Sequence, residues 1–153
     1  MTADAVDEGR HGAVAPVRAS ATLPAVEDSL EAVHALVSGV WDRASDVDDT
    51  ERMLFETAVM EIAGNVVEHG VAVGGRIGAV VTFTLTVICG HDRIVALFED
   101  DGKPAEVDLT QVSMPDDLSE SGRGLALAQA VLDDLTFERA DGSNRWRLVR
   151  LRG

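Results

Sequence analysis

The sequence predicts an α+β fold: a two-layer α/β sandwich with a mainly antiparallel sheet and helices on one face. Three observations carry this. Two long stretches in the first half repeat apolar residues at helical spacing. The strand-like stretches come in pairs joined by short turns, Gly90-His91-Asp92 and Asp141-Gly142. The helical stretches stand outside those pairs in chain order. Strands joined as hairpins pair antiparallel, and helices kept apart from them bury their apolar stripes on the sheet the hairpins build.

Residues 1–17 are rich in Ala, Asp, Gly and Pro and show no period, which predicts a loose tail ahead of one domain spanning 18–153. Residues 18–23 read as a short first strand ended by Pro24. Behind Glu27 and Asp28, residues Leu30, Val33, Leu36, Val37, Val40 and Trp41 recur as one helical stripe. Residues 42–49 are a polar, acidic connection. A second helix carries Leu54, Phe55, Ala58, Ile62, Val66 and Val67 on its apolar side. It should stop at His69-Gly70, since Gly is favoured just past a helix end.

Residues 71–75 read as a Gly-containing loop. From 78 to 89, β-branched residues alternate with threonines, which is strand chemistry, and 93–99 is the returning strand. Residues 103–121 hold Pro104 and Pro115 with few periodic apolar positions. That predicts a long mobile loop, of a length that in compact domains is usually functional or disordered. Residues 122–135 form a third helix with Leu125, Leu127, Ala128, Val131 and Leu132 apolar. Thr136-Phe137-Glu138 and residues 146–151 flank Asp141-Gly142 as a last hairpin. The order is β-α-α-β-β-loop-α-β-β.

With 153 residues, 46% of them hydrophobic, the chain can bury one sizeable core. A net charge of −14 argues against nucleic-acid binding, which needs a basic surface. It leaves ATP open, because a metal ion and backbone N–H groups can neutralise phosphate locally. It also favours partners with basic patches. Cys89 is the only cysteine, so neither an internal disulfide nor a cysteine-based zinc site can form, and its apolar surroundings suggest plain core. The first residues lack a signal-peptide pattern, and the longest apolar run, 77–89, is too short to span a bilayer. The expected location is the cytoplasm.

Three constellations carry candidate chemistry. Glu61, Asn65 and His69 fall at i, i+4 and i+8 of one helix, within about 80° of one another. A carboxylate there can accept a proton from a nucleophile, and an amide oxygen can ligate Mg²⁺ among phosphates and waters. Asp100-Asp101-Gly102 ends an apolar strand, offering a carboxylate and a Gly that lets the chain turn. Gly122-Arg123-Gly124-Leu125 opens a helix, where exposed N–H groups and the helix dipole favour an anion. Taken singly, these read first as a solvated helix face, an acidic turn and a Gly-rich helix start.

Taken in order they resemble the N, G1 and G2 boxes of the GHKL ATPase superfamily, the Bergerat fold. The closer likeness is to bacterial anti-sigma factors that are serine/threonine protein kinases. Glu61-Ile-Ala-Gly-Asn65-Val-Val-Glu-His69-Gly70 is similar to their N-box helix, and Asp141-Gly142-Ser143-Asn144 to their terminal hairpin. The resemblance implies ATP and Mg²⁺ as cofactors. It implies Glu61 as general base, Asn65 as Mg²⁺ ligand, Asp100 as adenine reader and Gly102 as a shaper of the base pocket. Gly122, Arg123 and Gly124 would line the phosphates beside Leu125, with His69 packing near the helix end. Two positions depart from the pattern. Ala105 stands where many relatives have an aromatic, and a threonine near adenine has no clear counterpart, Ser143 being the nearest.

The implied partners are a sigma factor and an anti-anti-sigma (STAS-type) protein as phosphorylation substrate, with neither nucleic acid nor membrane, and a homodimer as a further option. Two alternatives stand beside the anti-sigma kinase: a non-catalytic ATP-binding module, and a kinase in a pathway without a sigma factor. Glu61 favours a kinase, because a pure binding module needs no base. His34 lacks phosphoacceptor surroundings and lies too close to Glu61 for a dimerisation hairpin between them, so a histidine-kinase reading does not fit.

Overall fold

The computed structural model describes residues 15–70, 80–111 and 120–153. Most of the tail, the loop at 71–75 and the middle of the loop at 103–121 lie outside the described residues. The described residues form β1 (Val17–Pro24), α1 (Ser29–Arg43), α2 (Asp49–Glu68), β2 (Thr82–Cys89), β3 (Arg93–Asp100), α3 (Glu120–Val131), β4 (Asp134–Ala140) and β5 (Ser143–Leu151). A 3₁₀ turn, Leu109–Gln111, follows β3. The five strands make one sheet in the order β1-β2-β3-β5-β4, and every neighbouring pair is antiparallel.

The alternation seen in the sequence sets the two faces. Phe83, Leu85 and Val87 of β2, Ile94, Ala96 and Phe98 of β3, and Trp146 and Leu148 of β5 are buried in one cluster with residues of all three helices. The threonines between them face the other way, where Thr84 and Thr86 exchange hydroxyl hydrogen bonds with Thr22 and Ser20 of β1 at 2.8 and 3.0 Å. Phe55, Phe83 and Phe98 are the largest fully buried side chains, each worth about 1.5–3 kcal/mol of burial.

α2 is the middle helix, packed on both α1 and α3. Its buried side is therefore wide, taking in Phe55, Ala58, Val59, Ile62, Ala63 and Val66, and with them the polar Asn65. Asp48 caps it, its Oδ1 accepting the Glu51 N–H at 2.8 Å. Arg150 of β5 ties three elements together. Its guanidinium grips Glu51 of α2 with two hydrogen bonds, at 3.2 and 3.0 Å, and donates to the Val131 carbonyl at the end of α3.

The third helix departs from expectation at both ends. It already includes Glu120, ahead of the expected start at Gly122, and it stops at Val131 rather than running to residue 135. Leu132 and Leu135, three apart, mimic helical spacing. Leu135 in fact alternates with Phe137 along β4, opposite Leu148 and Trp146. The reversal is fixed by Asp133, whose backbone N–H donates to the Val149 carbonyl at 2.8 Å and whose carboxylate accepts the Leu151 N–H at 2.6 Å. The last hairpin is also longer than expected, reaching Ala140 and Ser143 on either side of its turn. Asp141 and Gly142 both take positive φ, 54° and 78°, as a two-residue turn matched to strand twist requires. β1 begins at Val17, one residue before the expected start.

Candidate functional site

A cavity of about 490 Å³ lies where α2, the end of β3, α3 and β5 converge. That is within the usual size of small-molecule sites. Asn65, His69, Asp100 and Leu125, four residues singled out from the sequence, line it together with Asn144 and the chain from Lys103 to Val107.

Asp100 is the last residue of β3 and is 8% exposed. One carboxylate oxygen, Oδ1, accepts two hydrogen bonds, from the Gly102 N–H and from Asn144 Nδ2, both at 2.9 Å. The other oxygen, Oδ2, accepts none from the described residues. The carboxylate is thus held by one oxygen and keeps the second as an acceptor in the cavity wall. Gly102 is itself buried, and Arg139 of β4 donates to its carbonyl at 2.8 Å. Asp101 turns away, accepting from the Thr82 N–H at 3.0 Å and the Thr82 hydroxyl at 3.3 Å.

Asn65 sits in the buried face of α2 at 9% exposure. Its Nδ2 donates back along the helix to the Glu61 carbonyl at 3.4 Å, so its Oδ1 is the atom left over among the described residues. An amide oxygen with spare lone pairs in a cavity suits a hard cation or a donor. His69 closes α2 as its C-cap, with its N–H bonded to the Asn65 carbonyl at 3.0 Å, and its exposed side chain stands at the cavity rim.

Glu61 is one turn before Asn65 and does not line the cavity. It lines a shallower groove of about 600 Å³ between α1 and α2, with His34, Trp41, Met53 and Glu56. Its carboxylate also lies against Gly124 of α3: a Cβ on Gly124 would run into Glu61 Oε2 and stand 3.3 Å from Glu61 Cδ. The described part of α3 already includes Glu120, so the glycine motif lies inside the helix instead of opening it. By helix geometry the Gly124 N–H faces the Glu120 carbonyl. Gly124 therefore matters for the room it leaves Glu61. Arg123 is exposed.

Sequence reasoning missed Asn144. It is 3% exposed, faces Asp100 across β3–β5, and has Ser143 as a neighbour on the opposite face. The nearest candidate from the sequence was Ser143, which is out of phase. The available signal was the alternation Asn144, Trp146, Leu148: a polar residue in step with two apolar ones belongs to the covered face.

The resolved pKa shifts lie away from the cavity. A hydrogen bond from Arg152 holds the Asp46 carboxyl below its usual range, and one to Glu99 raises Arg145. Burial pushes the Cys89 thiol up.

Residues 23–150 match the profile of the histidine kinase-like ATPase domain. The chain is similar to the serine-protein kinase RsbW of Staphylococcus epidermidis, 28% identical over 129 residues and covering 78% of each chain. Versions from two strains of that species match equally. In three dimensions it resembles the crystal structure of the RsbU and RsbW domains of a Mycobacterium tuberculosis protein, with a TM-score of 0.59 at 21% identity. That likeness covers 89% of this chain but 33% of the solved one, so this chain spans about a third of it, and what the two share is the fold. The match to the ATPase profile takes in every element from α1 to β4 and most of β5. The chain belongs to the histidine kinase-like ATPase domain family.

Proposed function

We propose that this chain is an ATP-dependent anti-sigma factor and serine/threonine protein kinase of the RsbW type. The observation that carries the reading is that Asn65 of α2 and Asp100 of β3 face one cavity of nucleotide size. Asp100 Oδ2 accepts a hydrogen bond from the exocyclic amine of adenine, and Gly102 holds the turn beside it. The Gly122 N–H and the Arg123 guanidinium are donors for phosphate oxygens, with Leu125 and His69 at the walls.

Among the described residues no group of three or more His, Cys, Asp or Glu is placed to hold a metal. The donor set fits Mg²⁺ carried mainly by phosphates and water, with Asn65 Oδ1 as the protein ligand. Bound there, the ion supplies neutralisation of the charge that develops on the phosphates. Glu61 accepts the proton of the incoming serine or threonine hydroxyl. As the hydroxyl oxygen bonds to the γ-phosphorus, the bond to the β,γ-bridging oxygen breaks and ADP leaves with the electron pair. The acceptor approaches from the α1–α2 groove, the side on which Glu61 is reachable.

The likeness to RsbW supports a STAS-type anti-anti-sigma protein as the acceptor and a sigma factor as the sequestered partner. No helix among the described residues is long and apolar enough to cross a membrane. The test pairs calorimetry of ATP binding with transfer from γ-labelled ATP to a candidate anti-anti-sigma protein. Binding with label on a serine or threonine is expected, and absence of any ATP binding overturns the reading. Binding without transfer to a verified partner would favour a second reading, a nucleotide-set regulatory module. The position of Glu61 outside the cavity is the observation on that side.

A further inference from the structure

Asn144 makes three hydrogen bonds, all inside the base end of the cavity. Its Nδ2 donates to Asp100 Oδ1 at 2.9 Å and to the Lys103 carbonyl at 2.7 Å, and its Oδ1 accepts the Ala105 N–H at 3.1 Å. The three agree on one orientation of the amide, since a flipped Asn144 would set an oxygen against a carboxylate and a carbonyl. Its neighbour across the β4–β5 hairpin, Arg139, holds the Gly102 carbonyl. One cross-strand pair therefore fixes the wall from Gly102 to Ala105 and the rotation of the Asp100 carboxylate. With Oδ1 taken by Asn144 and by the Gly102 N–H, Asp100 has only Oδ2 to present.

We propose that Asn144 is the specificity-determining positioning residue of the base site: by holding Asp100 Oδ1 together with the Gly102 N–H it fixes the carboxylate so that Oδ2 faces the base, which selects purines bearing a 6-amino group. A 6-oxo purine would bring an oxygen against that carboxylate. This deepens the ATP reading above and rests on it. A serine hydroxyl at this position could satisfy Asp100 or Lys103 but not both, so the amide is what joins the base contact to the wall.

The test compares affinities for ATP and for purine riboside triphosphate, which lacks the 6-amino group. Wild-type protein should prefer ATP by on the order of 10- to 100-fold, the size of a hydrogen bond to an ionised group. In Asn144→Ala the preference should fall to within about threefold of unity while both nucleotides still bind. Asn144→Thr, which keeps a donor for Asp100, should retain most of it and serves if the alanine variant fails to fold. A purely structural role for Asn144 would weaken both nucleotides by one factor and leave the ratio intact, which overturns the proposal alone. A wild-type ratio of one, or no nucleotide binding at all, overturns the ATP reading with it.

Discussion

The carboxylate of Glu61 on α2 lies against the backbone of Gly124 on α3, in space that any side chain at 124 would take. The two residues are far apart in sequence, and the packing of α2 on α3 brings them together. Gly→Ala inside a helix normally stabilises by about 1 kcal/mol through propensity. Here that gain competes with displacement of the proposed base. Gly124→Ala should lower phosphoryl transfer by about 10²-fold, within the range of a lost general base, with ATP affinity changed by less than about threefold. Transfer and calorimetry on the same sample check this, and a more stable variant with full transfer would show the contact to be packing only.

Glu61→Gln keeps the shape and removes the proposed base. It should bind ATP nearly as wild type and transfer phosphate about 10²–10⁴-fold more slowly. Asn65→Ala should lose affinity and transfer together, because it removes the proposed metal ligand. The contrast between the two variants is the measurement.

Asp100→Asn should weaken ATP binding at least about tenfold, since it takes away an ionised acceptor. Asp101→Asn should stay within about twofold, because Asp101 is exposed and turned toward Thr82. Parallel titrations decide it, and equal losses would mean the adenine contact is elsewhere.

Glu51 and Arg150 are each only about one-fifth exposed, at 21% and 20%, so their paired hydrogen bonds are partly shielded from water. Removing either side, as Glu51→Gln or Arg150→Met, should cost about 1–3 kcal/mol. Arg150→Lys should not rescue, since an ammonium lacks the planar fork. Urea unfolding of both single variants and the double gives the coupling energy, and strict additivity would mean the pair contributes nothing.

Cys89 is 4% exposed and its thiol is pushed up by burial, with Arg152 partly opposing. It should resist alkylation at pH 8 in the folded protein and react readily in urea. Its folded pKa lies above the unfolded value, so as pH rises past the unfolded value the unfolded chain ionises first. Stability contributed by this group is therefore complete at neutral pH and declines only in alkali. Rapid labelling of the native protein would contradict the burial.

The order of elements was legible because period-2 and helical patterns are local properties, as in Thr82–Cys89 and the stripe from Val33 to Trp41. The end of α3 was not, since Leu132 and Leu135 satisfy helical spacing and strand membership at once. The candidate site was legible as far as single motifs reach: Asn65, His69, Asp100 and Leu125 do share a cavity. Asn144 and the Glu61–Gly124 contact were not, because both depend on which strands and helices become neighbours. Cross-strand register and helix packing are facts of topology that no local spacing encodes.

β5 is the last strand in chain order, yet it lies inside the sheet, between β3 and β4. It carries Asn144, Trp146 and the Arg150 anchor, so a chain stopped before residue 143 has neither a closed base site nor a pinned α2. In such a chain the β3 edge is bare, a row of open N–H and C=O groups ready to pair with another molecule. During synthesis the earlier strands must wait for β5 before the sheet can close, and the cavity can form only after that. Premature termination or stalling in this region should thus yield aggregated chains rather than a partly folded domain.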